Sequence, residues 1–253
     1  MKIYNTSEYS EKLKIRPVDA NGLHDNFKRP GDFKIIKNVV IDVDNNSYDG
    51  VMINGRVWMK SNLRTTKFND GSEIGDFQHS NNGEKPYVAN LTYHGYVKEF
   101  GYFYNFHAVS TGKLAPEGWH VPSLDEWKNM LTYVTYQTEY NNTPNKHEPF
   151  TSHIAKSLCY DSLWKYSKYE EDIGNIDKDS ERCGFNIYPA GYWDYYTHNH
   201  ICFKEKALLW SNTSINSKFA LFIGFDYNRP NVGGGDEYRA KCNEGFCVRC
   251  VKD

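Results

Sequence analysis

Tight turns divide most of this chain into short extended segments, and their spacing constrains the fold more than any other feature. Residues 39–43 and 48–53 have the apolar character of strands, and the turn-forming sequence Asp44-Asn45-Asn46-Ser47 separates them. Asn54-Gly55 favours a type I′ hairpin turn and leads into a third extended run, residues 56–60. The pattern predicts three short strands that begin near residue 38.

Two later segments carry helix signals. The first begins after Pro122, where Ser123 and Glu126 have the spacing of a capping box. Four apolar residues of this segment share one helical face: Leu124, Trp127, Leu131 and Val134. A second helix should place four residues inward: Ile154, Ala155, Leu158 and Cys159. The sequence therefore predicts helices near 123–135 and 151–163.

The other segments are short and are separated by glycine, asparagine and proline. We expect strands at five of them: 101–106, 185–188, 207–210, 219–225 and 246–251. Residues 69–98 are mostly polar, and we expect a surface excursion there. An early hairpin, two helices and a late run of strands make an α+β layout. Residues 38–253 are thus expected to form one α+β domain with a twisted, mostly antiparallel sheet, whose first and last strands lie close together.

Residues 1–37 differ from the rest of the chain. Their apolar residues follow no strand or helix period, and prolines and glycines interrupt them. The segment has a net charge of +3, whereas the whole chain has −2. Such a segment is ordered only by docking on another surface. We expect an extended N-terminal arm that docks on an acidic partner through six anchors: Ile3, Tyr4, Ile15, Leu23, Phe27 and Phe33.

Composition excludes several classes of function. A net charge of −2 gives no basic field for nucleic acid, so we expect no nucleic-acid partner. No run of about 18 apolar residues occurs, so we expect no membrane insertion. The first residues lack the apolar core of a signal peptide, which predicts a chain that stays in the cytoplasm or leaves inside a particle. In a reducing cytoplasm, the six cysteines are expected to be free thiols.

Six sequence blocks carry a resemblance to a known family. The first three are Trp58-Met59-Lys60-Ser61-Asn62-Leu63-Arg64-Thr65-Thr66, Gly101-Tyr102-Phe103-Tyr104-Asn105 and Gly118-Trp119-His120-Val121-Pro122-Ser123 with Glu126-Trp127. The last three are Gly184-Phe185-Asn186-Ile187-Tyr188-Pro189-Ala190-Gly191, Trp210-Ser211-Asn212-Thr213 and Gly245-Phe246-Cys247-Val248-Arg249-Cys250-Val251-Lys252. In this order, over roughly residues 38–253, they resemble the Fibrobacter succinogenes major paralogous domain family. The motif order is also similar to the wider C-type-lectin-like superfamily.

The resemblance implies a C-type-lectin-like fold and a bacterial or phage origin, with Bacteroidetes-type hosts. Members of the family are usually surface lipoproteins. This chain departs from that pattern in its arm and in showing no lipoprotein signal. Most motif residues have a structural interpretation: Trp119 and Trp127 as core anchors, and Arg249 as a packing residue or the support of a buried carboxylate.

Two patterns bear on lectin and oxidase chemistry. Calcium-dependent sugar binding needs Glu-Pro-Asn or Gln-Pro-Asp, whereas this chain has Arg229-Pro230-Asn231, with Arg where a carboxylate is required. Cys242 and Cys247 have the spacing that formylglycine-generating enzymes use. The aromatic and basic residues expected between such a pair are missing, and two thiols alone are not a site. We therefore predict that the protein is not an enzyme and has no catalytic residues.

Three groups have residue types that bind metals. Asp42 and Asp44 resemble a calcium loop but lack its glycine and distal glutamate, which favours a plain turn. Cys247 and Cys250 would point to opposite faces of a strand. His198, His200 and Cys202 would share one strand face, but no second ligand pair has zinc-finger spacing. We expect no bound metal and no cofactor.

Aromatic and polar residues concentrate in two loops of the late half. Tyrosine, tryptophan, arginine and asparagine are the residues of recognition surfaces, although a solvated loop with incidental aromatics is an equal alternative. The candidate ligand-binding residues of the first loop are Tyr192, Trp193, Tyr195, Tyr196, His198 and His200. Those of the second are Tyr227, Asn228, Arg229, Asn231 and Tyr238.

These observations predict a non-catalytic structural or binding module. We expect a phage virion component that displays a C-type-lectin-like surface for attachment to a host protein or glycan. Its partners would be other virion or surface-assembly proteins, reached through the arm. An alternative is an exported bacterial cell-surface adhesin or fimbrial or lipoprotein-type module. A third alternative is an oxidase similar to formylglycine-generating enzymes.

Overall fold

The computed structural model describes residues 33–77, 84–89, 97–138, 150, 154–160, 162–175, 183–235 and 238–253. Four helices lie in these ranges: α1 (Val97–Phe100), α2 (Phe106–Val109), α3 (Leu124–Thr138) and α4 (Ala155–Leu158). The strands are β1 (Ile35–Ile41), β2 (Ser47–Ile53), β3 (Arg56–Met59), β4 (Gly75–Asp76), β5 (Tyr87–Ala89), β6 (Phe103–Tyr104), β7 (Trp119–His120), β8 (Tyr192–Asp194), β9 (Asn199–Ile201), β10 (Lys206–Ser214), β11 (Phe219–Asp226), β12 (Arg239–Lys241) and β13 (Val251–Lys252).

The main sheet has the strand order β1-β2-β3-β13-β7, and all of its pairs are antiparallel. The predicted hairpin is confirmed: Asn54 and Gly55 both have positive φ, as a type I′ turn requires. The other described sheets are β10-β11-β12, β4-β5-β6 and β8-β9, and only β4 and β5 pair in parallel. The predicted α+β class is confirmed in this coarse form, with more sheet than helix.

The first strand starts before the predicted domain boundary. β1 begins at Ile35, and Phe33 packs edge-to-face on Tyr133 of α3 with ring centroids 6.4 Å apart. Phe33, predicted as an anchor for another chain, therefore contacts its own domain. The other five predicted anchors lie outside the described residues: Ile3, Tyr4, Ile15, Leu23 and Phe27.

Side chains of β2 and β3 alternate between two hydrophobic clusters. Val51 and Trp58 belong to one cluster, whereas Tyr48 and Met59 belong to the other. Because successive side chains of a strand point to opposite faces, the clusters lie on the two sides of the main sheet. They are two layers that share the strands of this sheet.

Helix α3 covers the first cluster. Ser123 and Glu126 form the predicted capping box: the Glu126 N–H donates to Ser123 Oγ, and the Ser123 N–H donates to Glu126 Oε2. The four residues predicted for the inner face are buried, and Trp127 packs on Trp58 with ring centroids 4.9 Å apart. The prediction of a helix near 123–135 is confirmed.

The second predicted helix is much shorter than 151–163. α4 ends at Leu158, and Cys159 is extended and forms a parallel bridge with Ile187. The Tyr160 N–H then donates to Ile187 O, so the chain leaves the helix to pair with a neighbouring segment. This pairing joins segments that are distant in the sequence, so the local pattern of residues does not predict it.

Four other predictions of elements need correction. The described part of 69–98 is not a surface excursion, since Ile74, Phe77 and Tyr87 are buried. Residues 185–188 do not form a strand beyond the Ile187 bridge, since Asn186 has positive φ. In 101–106 and 246–251 only two-residue strands occur, β6 and the start of β13.

Residues 245–251 connect all four described sheets. This segment is buried throughout and lies between elements that are distant in sequence. Its residues pair in turn with four elements: Gly245 with Trp193 of β8, Phe246 with Tyr104 of β6, Cys247 with Leu208 of β10, and Val251 with Trp58 of β3. The last strand, β13, pairs with β3, so it lies in the same sheet as β1 but is separated from it by β2 and β3.

Candidate functional site

A cleft lies on one face of the β10-β11-β12 sheet. On the other face, Leu209 and Ile223 are buried in the first cluster. On the cleft face, Leu208 pairs with Gly224, and both Leu208 and Phe222 are only half-buried. Because residues 224 and 240 are glycine and alanine, the surface of the sheet is recessed there. The resulting cleft has a volume of about 420 Å³. Ligand pockets in proteins are typically about 300–1,000 Å³, so the cleft can hold a small ligand or part of a longer one.

Aromatic rings line the apolar part of this cleft. Phe246 is the central ring, stacked on the buried Trp210 with centroids 4.4 Å apart. Phe222 and Tyr192 contact its edge or face at 4.9 Å and 5.7 Å. Each ring is therefore fixed by at least one other ring, which favours a preformed surface.

Tyr238 forms one wall of the cleft because of a glycine. A Cβ atom at Gly233 would lie 2.1 Å from the Tyr238 ring, far inside van der Waals contact. The ring also packs on Phe222 with centroids 5.6 Å apart. Gly233 thus provides the space in which Tyr238 lies against the sheet.

Charged and polar side chains surround the aromatic rings. Lys206 pairs with Asp226 at 3.4 Å, and Arg229 and Arg239 are exposed at the rim. Burial raises the pKa of Glu244 above its ordinary value, although a hydrogen bond from the Tyr195 N–H opposes this shift. An apolar base with a few convergent polar groups is the usual composition of a small-molecule site.

The structure brings four of the eleven predicted binding residues into this cleft: Tyr192, Arg229, Asn231 and Tyr238. Tyr195 and the exposed Tyr196 lie next to it, since Tyr195 contacts Glu244 and Lys241 donates to the Tyr196 hydroxyl at 2.9 Å. His198 is exposed and its ring lies 5.8 Å from that of Tyr195.

The other four predicted residues lie elsewhere. Trp193 is buried in the core beside Phe77, so it is unavailable to a ligand. His200 Nε2 contacts Ala190 O, and its ring packs near Phe103. Tyr227 packs under Lys165, and Asn228 is exposed, but neither lines the cleft.

Sequence reasoning missed the base of the cleft. The sequence pattern identifies Leu208, Phe222 and Phe246 only as strand residues, and it gives no signal for Glu244. The alternation of β11 gives a signal, because Phe222, Gly224 and Asp226 share one strand face whose centre is a glycine. The placement of Leu208 on β10 beside this face, and of Phe246 against it, depends on tertiary contacts that no local sequence pattern predicts.

The cysteine groups do not assemble into a reactive or metal site. Cys242 and Cys247 are buried in different hydrophobic clusters. Burial raises the pKa of Cys242, and it raises the pKa of Cys247 to about 12. His198 and Cys202 flank β9 with positive φ, so they do not share its face as predicted. Within the described ranges, no three His, Cys, Asp or Glu side chains are grouped as metal ligands.

The early aspartates form a turn. Both carboxylate oxygens of Asp42 accept hydrogen bonds: Oδ1 from the N–H groups of Asp44 and Asn46, and Oδ2 from the Asn46 amide and the Tyr48 hydroxyl. Asp44 accepts from the Thr66 N–H and hydroxyl. These bonds fasten the β1–β2 turn to the segment after β3.

Comparison with known proteins gives one family. The model of the Fibrobacter succinogenes major domain matches residues 51–252, which is most of the chain. No curated protein matches, and no solved structure matches. None of the helices in the described ranges has the length and apolar character needed to span a membrane.

Proposed function

The chain belongs to the Fibrobacter succinogenes major domain family, and from this premise we propose that it is a non-catalytic binding module that holds a saccharide in the aromatic cleft of β10-β11-β12. The family assignment identifies no ligand, so the proposal depends on the site itself. Its fold is proposed to be C-type-lectin-like, in keeping with the motif order and with a first and a last strand that share the main sheet.

The observation that carries the proposal is a set of half-exposed aromatic rings inside a polar rim. Tyr192, Phe222 and Tyr238 are half-buried and held in place by neighbouring rings. The apolar face of a sugar ring packs on such rings, while its hydroxyls need polar partners of the kind that Asp226 and Asn231 offer. Rigid aromatic residues bind with little loss of side-chain entropy, which suits them to this role.

The state of the candidate reactive groups among the described residues supports a non-catalytic role. The thiols that an oxidase would use are buried, and their raised pKa values keep them protonated near neutral pH. His120 lies between Glu126 and Asp253, and Ser123 contacts Glu126 and not the histidine. That arrangement caps α3 and joins it to the chain end, without a nucleophile next to the base.

We propose that the module belongs to a phage particle, with attachment to the host surface as its task. The basic, aperiodic N-terminal segment supports this placement, since it suits docking on a larger assembly. An exported bacterial adhesin or lipoprotein-type module is the alternative placement, and it would use the same cleft. An oxidase similar to formylglycine-generating enzymes ranks third.

Binding to neutral oligosaccharides tests the proposed cleft. The full chain is screened on an array of neutral bacterial glycans, and the best binder is titrated by calorimetry. Tyr238→Ala should weaken binding at least about tenfold, because it removes one wall of the cleft. Tyr169→Ala is the matched control, since Tyr169 is 63% exposed and lies outside the cleft.

Two results would contradict the proposal. One is the absence of binding to every neutral glycan at millimolar concentration. The other is a Tyr238→Ala variant that binds as tightly as the parent chain while the fold is unchanged.

A further inference from the structure

We propose that a second cleft binds an acidic saccharide, at a site distinct from the aromatic cleft. This basic cleft has a volume of about 750 Å³ and lies between β1, β2, the segment after β3, α1 and residues 186–188. Its lining residues are Lys37, Asn38, Asn45, Asn46, Ser47, Asp49, Lys60, Ser61, Arg64, Lys98, Asn186 and Tyr188. None of them lines the aromatic cleft.

The charge of this cleft is opposite to that of the chain. Four of its residues are cationic, and Asp49 is its one acidic residue, whereas the chain as a whole has a net charge of −2. Lys37 already pairs with Asp49 at 2.7 Å. A local positive field in a concave surface attracts an anion and raises its local concentration.

Two of the four cations form no ion pair within the part of the chain that the structure describes. Arg64 donates to Asn46 Oδ1 at 3.1 Å and stacks on Tyr48, so it supports the cleft wall. Lys60 and Lys98, by contrast, form no ion pair with any residue in the described ranges. Their ammonium groups are the positions where a carboxylate of the ligand would bind.

An unpaired buried acceptor indicates that the ligand also carries donors. Asn186 is only 7% exposed, lines the basic cleft, and its Oδ1 has no hydrogen-bond partner among the described residues. A buried amide oxygen without a partner is costly, and a bound ligand is one of the partners that can relieve this cost. Oδ1 itself has almost no exposed surface, so a ligand hydroxyl would satisfy it only after a small shift of the amide toward the cleft, whereas the lysine charges alone require only an anion. The pair of requirements fits a sugar that bears both a carboxylate and hydroxyls.

The position of Asn186 is held by the core. Its φ of 56° is in the left-handed region, and its carbonyl accepts from Arg249 Nη2 at 3.1 Å. Phe185 O, the preceding carbonyl, accepts from Arg249 Nη1 at 2.6 Å. The buried guanidinium thus fixes the backbone that carries the Asn186 amide.

The experiment uses the full chain and three probes at low ionic strength. They are a tetrasaccharide of alternating glucuronate and N-acetylglucosamine, the neutral tetrasaccharide of N-acetylglucosamine, and inorganic phosphate. We expect the acidic tetrasaccharide to bind at least tenfold more tightly than either of the others. Lys60→Met with Lys98→Met should remove most of this preference. Lys168→Met with Lys252→Met is the control, because it makes the same charge change at exposed positions outside the cleft.

A single variant separates sugar recognition from simple anion binding. Asn186→Gly suits the positive φ and removes the amide, so it should weaken the acidic tetrasaccharide at least fivefold and leave phosphate binding unchanged. Melting curves verify that each variant is folded. The inference is overturned if phosphate binds as tightly as the tetrasaccharide, if the neutral sugar competes equally, or if the lysine variant binds like its control. Tyr238→Ala should not affect this binding, so the two sites fail or succeed independently.

Discussion

Asn62 Oδ1 accepts two hydrogen bonds from the buried guanidinium of Arg249, from Nε at 3.1 Å and from Nη2 at 2.8 Å. The Asn62 amide group donates in turn to Phe100 O. Arg249 is fully buried, and its described partners are all neutral, so the guanidinium is satisfied by carbonyl and amide oxygens and supports no buried carboxylate. Burial lowers the pKa of Arg249 to about 10, which still leaves it charged at neutral pH.

Replacing Arg249 with Met should destabilise the protein strongly. The change leaves Asn62 Oδ1 and the carbonyls of Met59, Phe185 and Asn186 without their donor, and unpaired buried groups cost about 1–3 kcal/mol each. We expect a loss of about 3–5 kcal/mol in the free energy of unfolding, measured by urea denaturation. Lys252→Met, at an exposed position of β13, should change it by less than about 0.5 kcal/mol. Equal stability of the two variants would show that the Arg249 bonds are dispensable.

Gly233→Ala should weaken saccharide binding without removing any binding group. The added Cβ would meet the Tyr238 ring at 2.1 Å, so the ring must leave its position against the sheet. The expected loss of affinity is about tenfold, measured by calorimetry. In the Tyr238→Ala background the same change should have almost no effect, because the ring it displaces is already absent. Additive losses of saccharide affinity in the double variant would contradict this explanation.

His120 should make stability depend on pH. Burial alone would lower its pKa, but hydrogen bonds to Asp253 and Glu126 outweigh burial and raise the pKa above 6.5. The folded chain therefore holds the proton more tightly than the unfolded chain. The resulting stabilisation is complete below pH 6.5 and is lost as the pH rises through the higher folded value.

His120→Gln measures this contribution. The groups are partly exposed and screened by solvent, so we expect a contribution of about 0.5–1 kcal/mol. Urea denaturation at pH 5.5, 7 and 9 should show the parent chain losing its advantage over His120→Gln between the lowest and the highest pH. Parallel pH profiles of the two proteins would rule out the proposed role of His120.

The cysteines should react slowly in the folded protein. Five of the six are buried, and Cys202 is partly exposed with a pKa raised by burial. A chromogenic disulfide reagent at pH 8 should label at most Cys202 in the native chain and all six cysteines in guanidinium. Cys202→Ser should then abolish native labelling. Rapid labelling of Cys242 or Cys247 in the folded protein would instead support the oxidase alternative.

Local signals predicted those elements whose stability is local. The hairpin depends on Asn54 and Gly55, and α3 depends on its capping box, so both could be identified from adjacent residues. The sequence predicts too long a second helix, because Cys159 leaves the helix to pair with Ile187 in a distant segment. Amphipathic spacing contains no information about such a pairing.

The candidate sites were predictable only in part. Composition identified Tyr192, Arg229, Asn231 and Tyr238, which do line one cleft, but also Trp193, which is buried. A tryptophan in an aromatic run has the same local pattern in a core as on a surface. The basic cleft was missed entirely, because Lys60, Lys98 and Asn186 come from three separate parts of the chain.

The placement of residues 245–251 has a consequence for the order of folding. During synthesis, β3, β6, β8 and β10 all leave the ribosome before the segment that pairs with each of them. Until then they have open edges, which are the surfaces on which chains associate wrongly. Contacts between distant parts of a chain also form slowly. Chaperone demand and losses to aggregation should therefore be greatest for nascent chains that stop just short of residue 245, and should fall abruptly once that segment is added.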